Sequence, residues 1–129
     1  MELRERMCSA MEEYFFKALR KGWHLTTSEE LNNSIKSDEK IFLLDVREPD
    51  EFLSEHIEGA VNIPIHDLPD RIKELPEKLD QPIISVCLSG ARSAYATMFL
   101  KVYGYTNIRN LDFGMTGWMN NGFPIVRAA

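Results

Sequence analysis

The apolar positions of this chain follow two rhythms that alternate along its length. Leu3, Met7, Ala10, Met11, Tyr14, Ala18 and Leu19 recur at helical spacing, so residues 2–21 predict an amphipathic helix that ends at Gly22. Trp23-His24-Leu25 predicts a short strand. Thr27 and Glu30 have the spacing of a capping box, which opens a helix over Ser28–Ile35. Ile41-Phe42-Leu43-Leu44-Asp45-Val46 is a near-continuous apolar run, the pattern of a strand buried on both faces. Pro49 suits the first turn of a short helix over residues 49–55. Val61–Pro64 predicts a strand, and Asp67–Leu79 one or two short helices broken by Pro69 and Pro76. Ile83–Cys87 predicts the central strand, Ser93–Tyr103 a helix, Asn107–Leu111 a last strand and Thr116–Asn120 a last helix.

Strands that alternate with helices predict an α/β fold, a parallel sheet of about five strands with helices on both faces. Residues 1–22 stand before it as an N-terminal helical extension, and residues 23–129 form the domain itself. The extension is expected to lay its apolar stripe on its own domain, with a homodimer contact as the alternative. A membrane anchor fits less well, because acids alternate with bases on its polar face. In parallel sheets, ligands bind beyond the carboxyl ends of the strands. Cys87 and the segment Asp45-Val46-Arg47 both lie at such ends.

Composition narrows the function further. A net charge of −5 disfavours non-specific nucleic-acid binding. No apolar run is long enough to span a bilayer, and the N-terminus has neither a secretory apolar core nor the acid-poor composition of a transit peptide. A cytoplasmic location is the expectation. Cys8 and Cys87 are the two cysteines, too few for a disulfide framework. Nothing has zinc-ligand or Walker-loop spacing, so no metal and no cofactor are expected. Cys8, among apolar neighbours, is expected to pack in the core.

The chemistry concentrates at Cys87-Leu88-Ser89-Gly90-Ala91-Arg92-Ser93, where a thiol ends a strand and a tight turn leads into a helix. The first N–H groups of a helix lack intrahelical partners and, with the helix dipole, favour negative charge. A cysteine there is expected to react as thiolate, with Arg92 adding a positive charge at the rim.

The loop matches the Cys-x-x-Gly-x-Arg-Ser pattern of the rhodanese family. Leu44–Phe52 resembles that family's Asp-Val-Arg segment with its Glu-Phe follow-on, and His56–Pro64 its His-Ile-x-Gly-Ala-x-Asn-Ile-Pro segment. Gly114–Trp118 and Gly122–Ile125 are similar to its C-terminal Gly…Trp…Gly-x-Pro stretch. The departures are Glu55 before the histidine, where glycine is usual, and Gly114-Met115 in place of paired glycines. The resemblance implies a sulfurtransferase in which Cys87 takes a sulfane sulfur from thiosulfate or a persulfide and hands it to a thiol or cyanide. A protein can serve as sulfur donor or acceptor in the same chemistry.

Two other readings use the same residues. Dual-specificity phosphatases and arsenate reductases also use a Cys-to-Arg loop, but the phosphatase loop has five intervening residues where this chain has four. A ring of four, Leu88, Ser89, Gly90 and Ala91, suits a single added sulfur better than a phosphate. A non-catalytic binding module would not need the cysteine.

Supporting roles follow from residue type. Arg92 reads as the anion clamp or a brace of the loop, and Ser93 as a helix cap whose hydroxyl could steady the sulfur. Asp45 ends an apolar strand and therefore needs a partner. Asp45 and Arg47 are expected to brace the loop, with a substrate-tail contact for Arg47 as the minority alternative. His56 reads as a hydrogen-bonded turn histidine. Leu88, apolar beside the nucleophile, favours a thiol or protein partner over thiosulfate. Trp118 and Phe113 read as core aromatics.

Overall fold

The computed structural model describes residues 2–22 and 24–127, and the predicted elements occur in the predicted order. Helix α1 spans Leu3–Lys21 and closes at Gly22, whose φ of 56° is the left-handed conformation that glycine adopts without strain. Strand β1 is Leu25–Thr26; of the expected strand, Trp23 lies outside the described residues. Helix α2 spans Ser28–Lys36 behind a complete capping box. The Thr27 hydroxyl accepts from the Glu30 N–H at 3.0 Å, and the Glu30 carboxylate accepts from the Thr27 N–H at 3.3 Å.

The remaining elements are β2 (Phe42–Asp45), α3 (Pro49–Ser54), β3 (Val61–Asn62), β4 (Ile83–Val86), α4 (Ala91–Tyr103), β5 (Ile108–Leu111) and α5 (Gly114–Asn120). Between β3 and β4 the chain forms two tight 3-10 turns, Ile65–Asp70 and Ile72–Glu74. Proline lacks the N–H that a longer α-helix would need, and Pro69 sits inside the first turn. Helices α4 and α5 each begin two residues earlier than their apolar rhythm indicated, because their first turns are built on loop residues.

The five strands form one sheet in the order β1-β5-β4-β2-β3, and every pairing is parallel. This α/β sheet carries helices on both faces. Successive residues of a strand point to opposite faces, so the sheet feeds two cores. Leu44, Ile83 and Ile108 join Leu100 and Ile63 on one side. Leu43, Ile84 and Leu111 join Leu31, Met115 and Trp118 on the other. Each such side chain contributes roughly 1.5–3 kcal/mol by leaving water. Strand β4 is buried at every position and lies between β2 and β5, with Asp45 opposite Val86 and Asn110 opposite Ser85. The carboxyl ends of three neighbouring strands thus meet where Cys87 follows β4.

Helix α1 packs against α4 of its own domain, with Tyr14 buried and Ala10, Met11 and Ala18 half-buried. The first part of the expected apolar stripe does not take part: Leu3 and Met7 are exposed. Cys8 is exposed as well, contrary to the expected core position, because it precedes the stretch of α1 that meets the domain. Among the described residues, no helix is long and apolar enough to cross a membrane.

Candidate active site

Cys87 is 1 % exposed and its sulfur is turned into the loop that follows it. The Gly90 N–H donates to Sγ at 3.1 Å, and the Ser93 hydroxyl lies 3.2 Å from the same atom. Gly90 has a φ of 109°, a conformation that favours glycine, and this kink aims its amide at the sulfur. The four N–H groups from Gly90 to Ser93 have no acceptor inside α4, whose first helical bond runs from the Ala94 N–H to the Gly90 carbonyl at 3.1 Å. Ser93 is fully buried, so its hydroxyl faces the sulfur from inside, while Leu88, Ser89 and Ala91 stand exposed on the outside. The structure thus gathers Cys87, Gly90 and Ser93 around one atom.

Asn110 of β5 completes this setting. Its Nδ2 donates to the Gly90 carbonyl at 3.0 Å, which fixes its Oδ1 as an acceptor for the Ser93 hydroxyl at 2.5 Å. Ser93 has one hydroxyl proton and two acceptors, Asn110 Oδ1 and the sulfur. That single O–H can donate to one of them at a time, and turning it between them needs no movement of the backbone.

The other side of the loop is held by α5. The Met115 and Thr116 N–H groups donate to the Cys87 and Leu88 carbonyls at 2.8 and 2.9 Å. This approach needs a glycine at 114. A Cβ there would collide with the Cys87 carbonyl oxygen and lie 2.7 Å from that of Leu88, and φ is +53°. Gly114→Ala is therefore expected to cost about 1–3 kcal/mol and to lower activity by displacing the loop. Denaturant midpoints and turnover measured together check this; an alanine variant unchanged in both would show that the contact is slack.

A rhodanese-like domain model matches residues 27–121. The chain belongs to the rhodanese-like domain family. A sulfurtransferase of Allochromatium vinosum is 36% identical over 99 residues, which covers 77% of this chain and 91% of that protein. The thiosulfate sulfurtransferase GlpE of Pseudomonas syringae is 36% identical over 76 residues, covering 59% of this chain and 70% of that one. The chain spans about half of a putative sulfur carrier protein of Bacillus subtilis, with 37% identity and 48% of that protein covered. Among solved structures, a rhodanese-related protein from Thermoplasma volcanium superposes with a TM-score of 0.72 at 34% identity, covering 81% of this chain and 98% of that one. These relatives support sulfur transfer as the general activity.

Two arginines of this rhodanese-like domain do different work from that expected of free cations. The Arg92 fork is on Glu51 of α3, with Nη1 to Oε1 at 2.8 Å and Nη2 to Oε2 at 3.0 Å. Glu51 Oε1 also accepts the Glu48 N–H at 3.0 Å. The Arg92 hydrogen bond, first among the causes, lowers the Glu51 pKa to about 2, and the same bond pushes that of Arg92 up. Arg47 is withdrawn altogether. It is 1 % exposed, pairs with Asp45 through Nη2 to Oδ2 at 2.9 Å, and donates from Nη2 to the Glu55 carbonyl at 2.6 Å. No substrate tail can reach it there, which removes the alternative of Arg47 as a substrate ligand. Asp45 has the partner that its burial demands.

His56 donates from Nδ1 to the Phe52 carbonyl at 2.8 Å, stacks on the Phe52 ring with centroids 3.8 Å apart, and forms an antiparallel bridge with Val126 just before the Gly59 turn. Trp118 is buried as expected, but Phe113 is 69 % exposed. Phe113 has a φ of +62° in the turn that starts α5, and this turns its side chain outward. Among the described residues, no group of three or more His, Cys, Asp or Glu could hold a metal ion.

Sequence reasoning missed Asn110 and the role of Glu51. The signal for Asn110 was a polar residue on the buried side of a short strand, beside the exposed Arg109, that ends next to the loop. The signal for Glu51 was the Glu-Phe pair of the resemblance, whose partner lies 41 residues away.

Proposed function

We propose that this domain transfers a sulfane sulfur through a persulfide on Cys87. The Cys87 thiolate attacks the outer sulfur of thiosulfate or of a persulfide. A new S–S bond forms at Cys87, the donor S–S bond breaks, and sulfite or a thiolate leaves with the electron pair. The outer sulfur of the Cys87 persulfide then carries the negative charge within reach of the N–H groups at the start of α4, which have no acceptor inside the helix. Cyanide or a thiolate attacks that sulfur, leaves as thiocyanate or a new persulfide, and restores the Cys87 thiolate. This two-stroke covalent cycle predicts ping-pong kinetics.

The observation that carries this reading is the Gly90 N–H at 3.1 Å from Sγ, in a loop with only four residues between Cys87 and Arg92. Leu88, Ser89, Gly90, Ala91 and Ser93 form the cradle, Arg92 secures its far end to α3, and Asp45 with Arg47 supports the strand end beside it. The same sulfur transfer serves a protein donor or acceptor, since Leu88 and the loop tip are exposed.

Intact-mass measurement after incubation with thiosulfate or an organic persulfide tests the proposal. The expected result is a gain of one sulfur atom that maps to Cys87 and is discharged by cyanide. Hydrolysis of an aryl phosphate with no sulfur uptake would replace this reading with a phosphatase.

A further inference from the structure

The electrostatics of the loop distinguish among sulfur donors. Within Cys87–Ser93, Arg92 is the sole cationic residue. Both its terminal nitrogens are taken by the two oxygens of Glu51, at 2.8 and 3.0 Å. A bidentate pair of this kind is strong and directional, and Glu51 is fixed in turn by the Glu48 N–H. The local charge does not favour a dianion. Residues 45–55, which supply α3 and the strand end beside the loop, contain five carboxylates against the one buried guanidinium of Arg47. Asp112 lies just before the turn that meets the loop from the other side. The residue next to the nucleophile is Leu88, 43 % exposed, where a cation would be needed to draw in an anionic donor.

We propose that Glu51 sets donor specificity: by occupying the Arg92 fork it cancels the loop's cation, so the site prefers singly charged or neutral sulfane donors bearing an apolar group, which can lie on Leu88, over the thiosulfate dianion. This inference rests on the sulfur-transfer reading above and narrows its substrate class. Glu51 acts here through Arg92 and is a positioning residue. The transfer itself balances for either donor. An aryl thiosulfonate gives its outer sulfur to the Cys87 thiolate and leaves as the aryl sulfinate; thiosulfate does the same and leaves as sulfite. The two donors present the same reacting sulfur and differ in charge and in the apolar ring.

The test compares kcat/KM for benzenethiosulfonate and thiosulfate in the wild-type protein, Glu51→Gln and Leu88→Lys. The wild-type protein is expected to favour benzenethiosulfonate by about tenfold or more. Added salt is expected to raise kcat/KM for thiosulfate more than for benzenethiosulfonate, because it screens the repulsion. Glu51→Gln leaves the Arg92 charge uncancelled and is expected to raise kcat/KM for thiosulfate several-fold relative to benzenethiosulfonate; Leu88→Lys is expected to shift the ratio in the same direction by about tenfold. A merely structural loss would lower both donors together and leave both the ratio and the salt dependence unchanged. Leu88→Lys changes an exposed side chain and tests the apolar part of the inference, while the wild-type donor ratio and its salt dependence test the charge part where Glu51→Gln fails to fold. A wild-type preference for thiosulfate, or variants that move both donors by one factor, would overturn the inference while leaving sulfur transfer intact. Uptake of sulfur from neither donor would instead reject the sulfur-transfer reading, and this inference with it.

Discussion

Cys87→Ser is expected to lower sulfur-transfer turnover by more than about a thousandfold, because the hydroxyl cannot accept a sulfur as the thiolate does. The same change should leave stability within about 1 kcal/mol of the parent, since the side chains are close in shape and the Gly90 N–H retains an acceptor. Matching circular-dichroism spectra and denaturant midpoints, measured beside the rate, separate loss of chemistry from loss of fold. Cys8 supplies an internal control. It is exposed on α1, and mapping the transferred sulfur to Cys8 in place of Cys87, or finding Cys87→Ser fully active, would remove the nucleophile from the mechanism.

Asp45→Ala is expected to destabilise the domain by about 3–5 kcal/mol, a large share of the 5–15 kcal/mol typical of a folded domain. The reason is the charge it leaves behind. Arg47 and Asp45 are each 1 % exposed, and their mutual attraction offsets the cost of removing both from water. Without the carboxylate, a buried guanidinium keeps, among the described residues, the Glu55 carbonyl at 2.6 Å and a more distant Glu55 oxygen at 3.8 Å. The double variant Asp45→Leu with Arg47→Met should recover much of the loss, since paired replacement by apolar groups is often near neutral. A double-mutant cycle in denaturant measures the coupling. Equal losses in Asp45→Ala and in the double variant would show that shape, and not uncompensated charge, sets the cost.

The sheet was legible because its central strands are nearly unbroken apolar runs, Phe42–Asp45 and Ile83–Val86. The helix starting after Thr27 was legible because its cap is a local exchange of two hydrogen bonds. The need of Asp45 for a partner could be read from its place at the end of such a strand. What escaped were interactions between residues distant along the chain. Glu51 lies 41 residues from Arg92, and Asn110 lies 17 from Ser93; no spacing rule links such positions. Phe113 and Cys8 misled for another reason. Hydrophobicity argues for burial on average, whereas a turn of left-handed backbone at Phe113 and the limited reach of the α1–α4 contact decide these two cases.

The strand order has a temporal side. Asn110 and the first turn of α5 are made well after Cys87, and they supply the hydrogen bonds that set the loop's shape. During synthesis, the thiol emerges before its support exists. Parallel pairing between distant segments also forms late in folding. A nascent or partly folded chain therefore carries Cys87 without its setting, and under the persulfide mechanism proposed above it is expected to take up sulfur only once the sheet has closed around the loop.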